Sequence, residues 1–299
     1  MKTYHIIPII ILAALAMLTG CEQDAENVKP FKVESKLVVH AFISPQDTVV
    51  KVHVQKSQPA IGKQMRDEQL QISNANVTIT DGSSTVTLTY DANHNAYFTE
   101  PDEWPIMAGK TYKLSVTAPG GFSATGSCTV PFASGIKIQD VNTTFTTESD
   151  YYGNEMHKYK LRYNWTDVPD VDNYYRTLAT RLYWYKDYNG ERLEGVNPLY
   201  MDHGKPGLYK DDKAKGGVIV SDDFHFYEST QAGIEKPYRV HLLLVVADKH
   251  YYMHQDAVHK QSQSNGNPFA EPVVMYSNIE GGLGVFAGYN QVERIVEVE

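Results

Sequence analysis

The structural class of this chain is set by residues 76–90, NVTITDGSSTVTLTY. Small and β-branched residues alternate with polar ones on both sides of Asp81-Gly82, a dipeptide typical of the tight turn between two antiparallel strands. The stretch therefore predicts a β-hairpin made of Asn76–Thr80 and Ser84–Tyr90.

The same alternation continues on both sides of this hairpin and predicts five more short strands: Lys36–Phe42, Thr48–Val54, Asn95–Thr99, Lys110–Thr117 and Phe122–Val130. Turn-forming residues separate several of them, at Ser44–Asp47 and at Pro119–Gly121. Seven strands in about 100 residues, with no helical period between them, are typical of a β-sandwich. We expect residues 34–132 to form an immunoglobulin-like or transthyretin-like sandwich domain.

Residues 133–299 are predicted to form a second β-rich domain, beginning after the Pro131–Gly135 stretch. A strand over Glu155–Trp165 places Tyr159, Leu161, Tyr163 and Trp165 on one face. With the acidic turn 167–173 and the run Tyr174–Tyr188, it resembles the B–C hairpin of a fibronectin type III domain.

Four further features are predicted in this second half. Asn189-Gly190 predicts another hairpin turn, and residues 190–216 predict loops. Arg239–Ala247 is the most apolar strand and is expected to be central. Residues 248–263 contain no Gly or Pro and predict the only helix of the mature chain. The predicted fold is mostly all-β, with two β-sandwich-like domains and one helix near the C-terminus.

The N-terminus reads MKTYHIIPIIILAALAMLTGC. Its apolar run, Ile6–Leu18, is shorter than the roughly 20 residues of a membrane-spanning helix and fits a secretory signal. Its ending, Leu18, Thr19 and Gly20 before Cys21, resembles the lipobox of bacterial lipoproteins. We expect 1–20 to be a signal peptide, Cys21 to carry the lipid, and 21–33 to be an acidic tether. A plain secretory signal or a retained apolar helix is the alternative.

Composition narrows the classes of partner. The formal net charge is −9 and no basic cluster occurs, which disfavours nucleic acid and leaves membrane attachment to the lipid anchor. With Cys21 lipidated, Cys128 has no intramolecular disulfide partner. We expect Cys128 to be a small buried residue.

The C-terminal residues 265–289 read NGNPFAEPVVMYSNIEGGLGVFAGY. The Asn267–Pro272 lead-in, the Ser277–Ile279 step and the Gly281–Gly288 run resemble the signature of a Bacteroidota lipoprotein family catalogued as domain of unknown function 4249. The resemblance implies an outer-membrane lipoprotein that often associates with TonB-dependent transporters. It implies no catalytic residues.

The glycines of this signature also have a physical interpretation. Gly281, Gly282 and Gly284 permit positive φ and close backbone approach. They predict a tight turn or bulge between strands Pro272–Tyr276 and Val292–Val298, with Phe286 inserted into the core. Packing is favoured over a ligand-binding loop.

Motifs for catalysis and metal binding are weak. Gly282–Ala287 matches G-x-G-x-x-A, but too few residues follow it for a dinucleotide fold. His250 and His254 have helical spacing for zinc but lack a neighbouring glutamate, so surface histidines are favoured. The turn Asp167–Asn173 is rich in oxygen ligands for calcium, although carboxylates capping turn amides are favoured. We predict no cofactor and no metal.

Tyrosines offer a candidate binding surface. Tyr183, Tyr185, Tyr251 and Tyr252 are candidates for a face that holds a glycan, a peptide or a protein partner. The leading hypothesis is a non-enzymatic accessory or ligand-capture subunit of a TonB-dependent uptake system at the outer membrane. A stand-alone adhesin or glycan-binding lipoprotein is the alternative, and a hydrolase is the least favoured.

Overall fold

The computed structural model describes residues 34–58, 65–211, 217–229, 234–264, 271 and 273–298. The predicted signal, the lipobox residues Leu18, Thr19 and Gly20, the lipidation site Cys21 and the tether to position 33 lie outside the described residues. Most of the Asn267–Pro272 lead-in also lies outside them. The part from Ser35 to Glu299 forms one compact unit.

The described chain is mostly β, as predicted. Its first half contains seven strands: β1 (Leu37–Ile43), β2 (Lys51–Lys56), β3 (Asn76–Thr80), β4 (Thr85–Asp91), β5 (Ala96–Phe98), β6 (Thr111–Ala118) and β7 (Phe122–Thr129). The second half contains β8 (Ile138–Ser149), β9 (Glu155–Thr166), β10 (Tyr174–Lys186), β11 (Arg192–Pro198), β12 (Tyr200–Met201), β13 (Leu208–Lys210), β14 (Val218–Val220), β15 (Phe224–Ser229), β16 (Ile234–Ala247) and β17 (Gly282–Val298).

Two α-helices accompany these strands in the described part of the chain. Helix α2 (Lys249–Ser264) confirms the helix predicted near the C-terminus, with each end one residue later. The prediction that it is the only helix was wrong, because one helical turn, α1 (Asp67–Leu70), lies in the polar stretch before β3. Only Leu70 of α1 is buried. The sequence of α1 therefore has no apolar periodicity from which a helix could be predicted.

The larger sheet has twelve strands in the order β11-β10-β16-β17-β1-β2-β5-β4-β3-β6-β7, with β13 also paired to β10. The predicted β3–β4 hairpin is confirmed, and Gly82 has the positive φ (+89°) expected of its turn. The sheet bends round on itself, since Thr125 of β7 bridges Glu280, just before β17. Its inward residues form the first core, which includes Cys128, 2% exposed as expected; burial raises the pKa of its thiol.

β17 joins the two halves of the chain. Its first part, Gly282–Gly288, pairs in parallel with β1, and its second part, Tyr289–Val298, pairs antiparallel with β16. Phe286 is fully buried in the first core, as predicted. The two cores are distinct, but the first contains Phe286 and Ile279 from the end of the chain. Separate domains at 34–132 and 133–299 stay a prediction.

The expected turn or bulge between two strands at the signature glycines was wrong. Gly282 and Gly284 lie inside β17, Gly281 directly precedes it, and described residues 273–276 are not a strand. Gly284 has φ +110°, and a Cβ on it would overlap the backbone oxygen of Val39. The glycines therefore let β17 lie close against β1.

The second sheet has the strand order β12-β15-β9-β14, with β8 also paired to β9. The predicted buried face of β9 is confirmed, because Tyr159, Leu161, Tyr163 and Trp165 all belong to the second core. The predicted hairpin of β9 with the next strand was wrong. β10 belongs to the larger sheet, and residues 167–173 cross from one sheet to the other.

The segment 190–216, predicted to be loop-rich, also contains three strands that were not predicted, β11, β12 and β13, and its residues 212–216 lie outside the described residues. β11 pairs with β10 through the turn at Asn189-Gly190, as that dipeptide predicts. β11 is mostly exposed and has little apolar alternation, so its pairing left no clear pattern in the sequence. The predicted central strand is confirmed, since β16 lies between β10 and β17.

Candidate ligand-binding site

The four candidate tyrosines do not share one surface. Tyr251 and Tyr252 lie on α2, and Tyr252 packs against Tyr174 at the start of β10, with 5.1 Å between ring centroids. Tyr183 and Tyr185 lie near the other end of β10. From the rise of about 3.3 Å per strand residue, about 30 Å separates Tyr174 from Tyr183.

Tyr183 and Tyr185 remain candidates at the β11 end of the sheet. The Arg181 guanidinium lies 4.6 Å from the Tyr183 ring centroid, and the Asn197 amide donates to the Tyr183 hydroxyl at 3.2 Å. The two tyrosine rings are 6.0 Å apart, and both residues are partly buried. Their rings are therefore held in place by neighbouring side chains.

Tyr251 is a packing residue with one polar contact. It is 7% exposed and belongs to the cluster between α2 and the sheet, where its ring meets Phe42 edge-on at 5.5 Å. Its hydroxyl accepts a hydrogen bond from Arg176 Nη1 at 3.2 Å. Tyr251, a candidate for the predicted binding face, therefore holds Arg176 in position.

Arg176 is paired on both sides of β10, with Val245 of β16 and with Leu208 of β13 near one edge of the sheet. Side chains of β10 alternate in burial, and Arg176 is on the face that α2 covers. Its Nη1 donates to Tyr251 and also to Gln255 Oε1 at 3.0 Å. Two side chains from successive turns of α2 thus hold one guanidinium.

The positive charge of Arg176 has no carboxylate partner among the described residues. Its Nε–H is buried and has no acceptor there. Burying a donor without an acceptor costs about 1–3 kcal/mol, and more for a charged group. The guanidinium is fixed in position and incompletely satisfied.

Arg176 lines a cavity of about 490 Å³ between β10, α2 and the 198–208 segment. Pockets of about 300–1,000 Å³ with mostly apolar walls and a few polar groups are typical of small-molecule sites. The apolar lining residues are Leu178, Ala179, Pro198, Leu199, Tyr200, Met201, Pro206, Leu208, Phe224 and Val258, and the polar ones are Arg176, Thr177, Thr180, Lys205, Gln255 and His259.

The charged side chains that line this cavity, Arg176 and Lys205, are both cationic. No carboxylate is among the described residues that line it. Lys205 pairs with Asp222 at 2.5 Å, which offsets its charge. Arg176 is therefore the cation of the cavity that lacks a counter-charge within the described part of the chain.

Asp248 holds α2, the helix that contains Gln255, against the sheet. Its carboxylate accepts hydrogen bonds from the Tyr251 N–H at 2.7 Å and from the Gly288 N–H of β17 at 3.0 Å. This contact caps the first turn of α2 and ties it to the sheet. Burial raises the pKa of Asp248 to about 6.

The histidines of α2 are not the solvated pair that was predicted. His254 is 7% exposed, with its ring 5.6 Å from that of His40, and burial lowers the pKa of His254. The Nδ1 atom of His250 lies 2.6 Å from the Tyr276 hydroxyl. His254 lies on the face of α2 that packs against the sheet, together with Tyr251 and Ala257, and is therefore buried.

The amides of the acidic turn after β9 were predicted to be capped by the carboxylates of the turn itself, but the Asn173 N–H donates instead to the carboxylate of Asp211, outside the turn, at 3.4 Å. The Asn173 side-chain amide donates to the carbonyls of Val168 and Val171, at 2.7 and 2.8 Å. Asp167 accepts from the Tyr175 hydroxyl at 2.7 Å. Within the described ranges, no three His, Cys, Asp or Glu residues come together in a group able to hold a metal.

The C-terminal signature forms one wall of a second, larger and more polar cleft of about 850 Å³. Asn278 holds that wall, because its amide bonds both the N–H and the C=O of Phe286 and donates to the Ser127 carbonyl. Ser277, Ile279 and Glu280 face hydroxyl side chains of β3, β6 and β7 across the cleft. Ile279 and Phe286 of the signature pack in the first core, while Ser277 and Glu280 present polar groups to the cleft.

Arg176 and Gln255 were missed as site residues. A strand of alternating residues does not distinguish an arginine beneath a helix from one in solvent. The available signal was a basic residue within the aromatic run of β10, together with the predicted neighbouring helix.

Comparison with known protein families finds a family model that covers most of the chain. A family model described as "Domain of unknown function (DUF4249)" matches residues 25–295. No curated protein matches the chain. Among the described residues, none of the helices has the length and apolar character needed to cross a membrane.

Proposed function

We propose that this chain, which belongs to the domain of unknown function 4249 family, is a lipid-anchored outer-membrane protein that captures a small ligand. In this proposal it is a non-enzymatic accessory subunit of a TonB-dependent uptake system, and it presents its ligand to the transporter. The observation that carries the proposal is the cavity between β10 and α2.

Three properties of the cavity support binding. Its size suits a small molecule, and its walls combine apolar side chains with a few hydrogen-bonding groups. Its guanidinium is held by Tyr251 and Gln255 before any ligand arrives. A preorganised polar group costs less to order on binding, which favours affinity.

The sequence supports the proposed lipid anchor and the proposed location at the outer membrane. Leu18–Cys21 has the lipobox pattern, and an acidic tether follows it. Two acyl chains on Cys21 would give stable attachment, whereas a single chain gives only marginal binding. We therefore place the protein at the outer membrane, exposed at the cell surface.

The test is affinity purification of the tagged full-length protein from native outer membranes in mild detergent, followed by mass spectrometry. We expect one transporter barrel to co-purify in about equal amount. Cys21→Ser is the matched control, because it removes the lipid and leaves the cavity unchanged. Enrichment of no barrel by the lipidated protein would contradict the accessory role.

A stand-alone glycan binder is the second candidate, and exposed tyrosines favour it. Tyr151 and Tyr152, in the β8–β9 turn, are 96% and 85% exposed. Exposed aromatic rings suit stacking against sugars, since they offer large contact area at low entropy cost. A glycan array probed with the Cys21→Ser protein, beside a Tyr151→Ser/Tyr152→Ser variant, tests this function.

A further inference from the structure

We propose that the ligand of the β10–α2 cavity is an amphipathic carboxylate, a molecule with one carboxylate group and an apolar chain. Arg176 would bind the carboxylate, and the apolar walls would take the chain. The inference rests on the proposed function, because it names the chemical class of ligand for the same cavity.

Arg176 carries a positive charge that no carboxylate of the described residues neutralises. A partly buried guanidinium without a counter-ion is costly, since charge is poorly solvated away from water. Arg176 has no carboxylate partner among the described residues, and the lining residues include none. A carboxylate is the complement of a guanidinium, because their planar groups form parallel hydrogen bonds.

The guanidinium of Arg176 is held in a fixed position by helix α2. Tyr251 and Gln255 both accept from Nη1, so they orient the group without neutralising it. Neutral acceptors leave the charge available to a ligand.

The walls of the cavity indicate that the rest of the ligand is apolar. Next to Arg176 on the same face of β10 is Leu178, and Leu199, Met201 and Phe224 continue the apolar lining. An apolar chain buried there gains about 0.8 kcal/mol per CH₂ group. A small hydrophilic anion would leave these walls unused.

The test measures binding of two probes with the same chain, octanoate and octanol, by isothermal titration calorimetry. The protein is the mature chain with Cys21→Ser. We expect octanoate to bind at least tenfold more tightly than octanol. In Arg176→Gln the two affinities should become similar, because only the octanoate contact uses the charge.

Two further variants make the result decisive. Arg162→Gln removes a charge from an exposed position on β9 and should leave both affinities unchanged. Val258→Trp, on the exposed edge of the cavity, should fill it and abolish binding of both probes while Arg176 is retained. Should Arg176→Gln fail to fold, the two probes on the parent protein and on Val258→Trp still decide the question.

The outcomes separate this inference from the proposed function. Equal binding of octanoate and octanol, with both lost in Val258→Trp, would overturn the carboxylate assignment and leave the cavity as a ligand site. If Val258→Trp leaves the binding of the probes unaffected, both the carboxylate assignment and the proposal that this cavity binds a ligand would be overturned. The parent protein's failure to bind octanoate at millimolar concentration would overturn the carboxylate assignment.

Discussion

Gly284 shows how one residue can determine a strand pairing. It lies in β17 with φ +110°, a conformation that residues with a side chain rarely adopt. A Cβ at this position would also overlap the Val39 backbone of β1. Backbone conformation and space therefore both require glycine.

We predict that Gly284→Ala lowers the free energy of unfolding by about 3 kcal/mol or more, from backbone strain plus overpacking. Gly153→Ala is the matched control, because Gly153 also has positive φ (+83°) but open space around it. Its cost should be about 1 kcal/mol, from backbone strain alone. Urea unfolding of the Cys21→Ser protein measures both, and equal losses would contradict the packing role of Gly284.

Helix α2 depends on its contacts with the sheet. Its sequence has weak amphipathic character, and its buried residues are Tyr251, His254 and Ala257. Asp248 links its first turn to β17 through Gly288. The helix can hold Gln255 against Arg176 only while this docking persists.

The pKa of Asp248 gives the docking of α2 a dependence on pH. Burial raises this pKa from 3.8 to about 6, so the folded protein binds the proton more tightly than the unfolded chain. The contribution of Asp248 to stability is therefore complete below pH 3.8 and is lost as pH rises through 6. A shift of this size corresponds to about 3 kcal/mol.

We predict that, relative to Asp248→Asn, the parent protein loses about 2–3 kcal/mol of unfolding free energy between pH 4 and pH 7. The variant carries no ionisable group at this position, so its difference from the parent isolates the titration. Asp256→Asn, on the same helix, removes a surface pair with Lys260 worth about 0.5 kcal/mol. Urea unfolding at several pH values measures this, and a pH-independent difference for Asp248→Asn would contradict the prediction.

The whole molecule is closed by the last strand of the chain. β17 completes the first core with Phe286 and then continues beside β16 into the second half. Removing a buried Phe from a core typically costs about 3–5 kcal/mol, a large part of the about 5–15 kcal/mol that stabilises a domain. The first half therefore depends on residues far away in sequence.

We predict that a fragment of residues 34–132 does not unfold cooperatively, because it lacks Ile279, Phe286 and the strand that pairs with β1. The same fragment joined by a flexible Gly/Ser linker to residues 277–291 should regain a cooperative transition. Circular dichroism during urea titration distinguishes the two. A cooperative transition in the bare fragment would show instead that residues 34–132 form an independent domain.

Local pattern in the sequence was sufficient to predict most strands, their buried faces and the helix. Asp81-Gly82 marked its hairpin, and Tyr159–Trp165 showed which face of β9 is buried, because side-chain alternation is a property of neighbouring residues. The family resemblance also came from local motifs near the C-terminus. These features need no knowledge of the partner strands.

Only the tertiary structure decided which distant elements meet. The parallel pairing of β17 with β1 joins the first and last strands of the described residues, and Gln255 lies 79 positions from the arginine it contacts. The candidate cavity exists because β10, the 198–208 segment and α2 converge on Arg176. Alternation specifies a face of a strand, but it does not specify what covers that face, because the covering residues come from elsewhere in the chain.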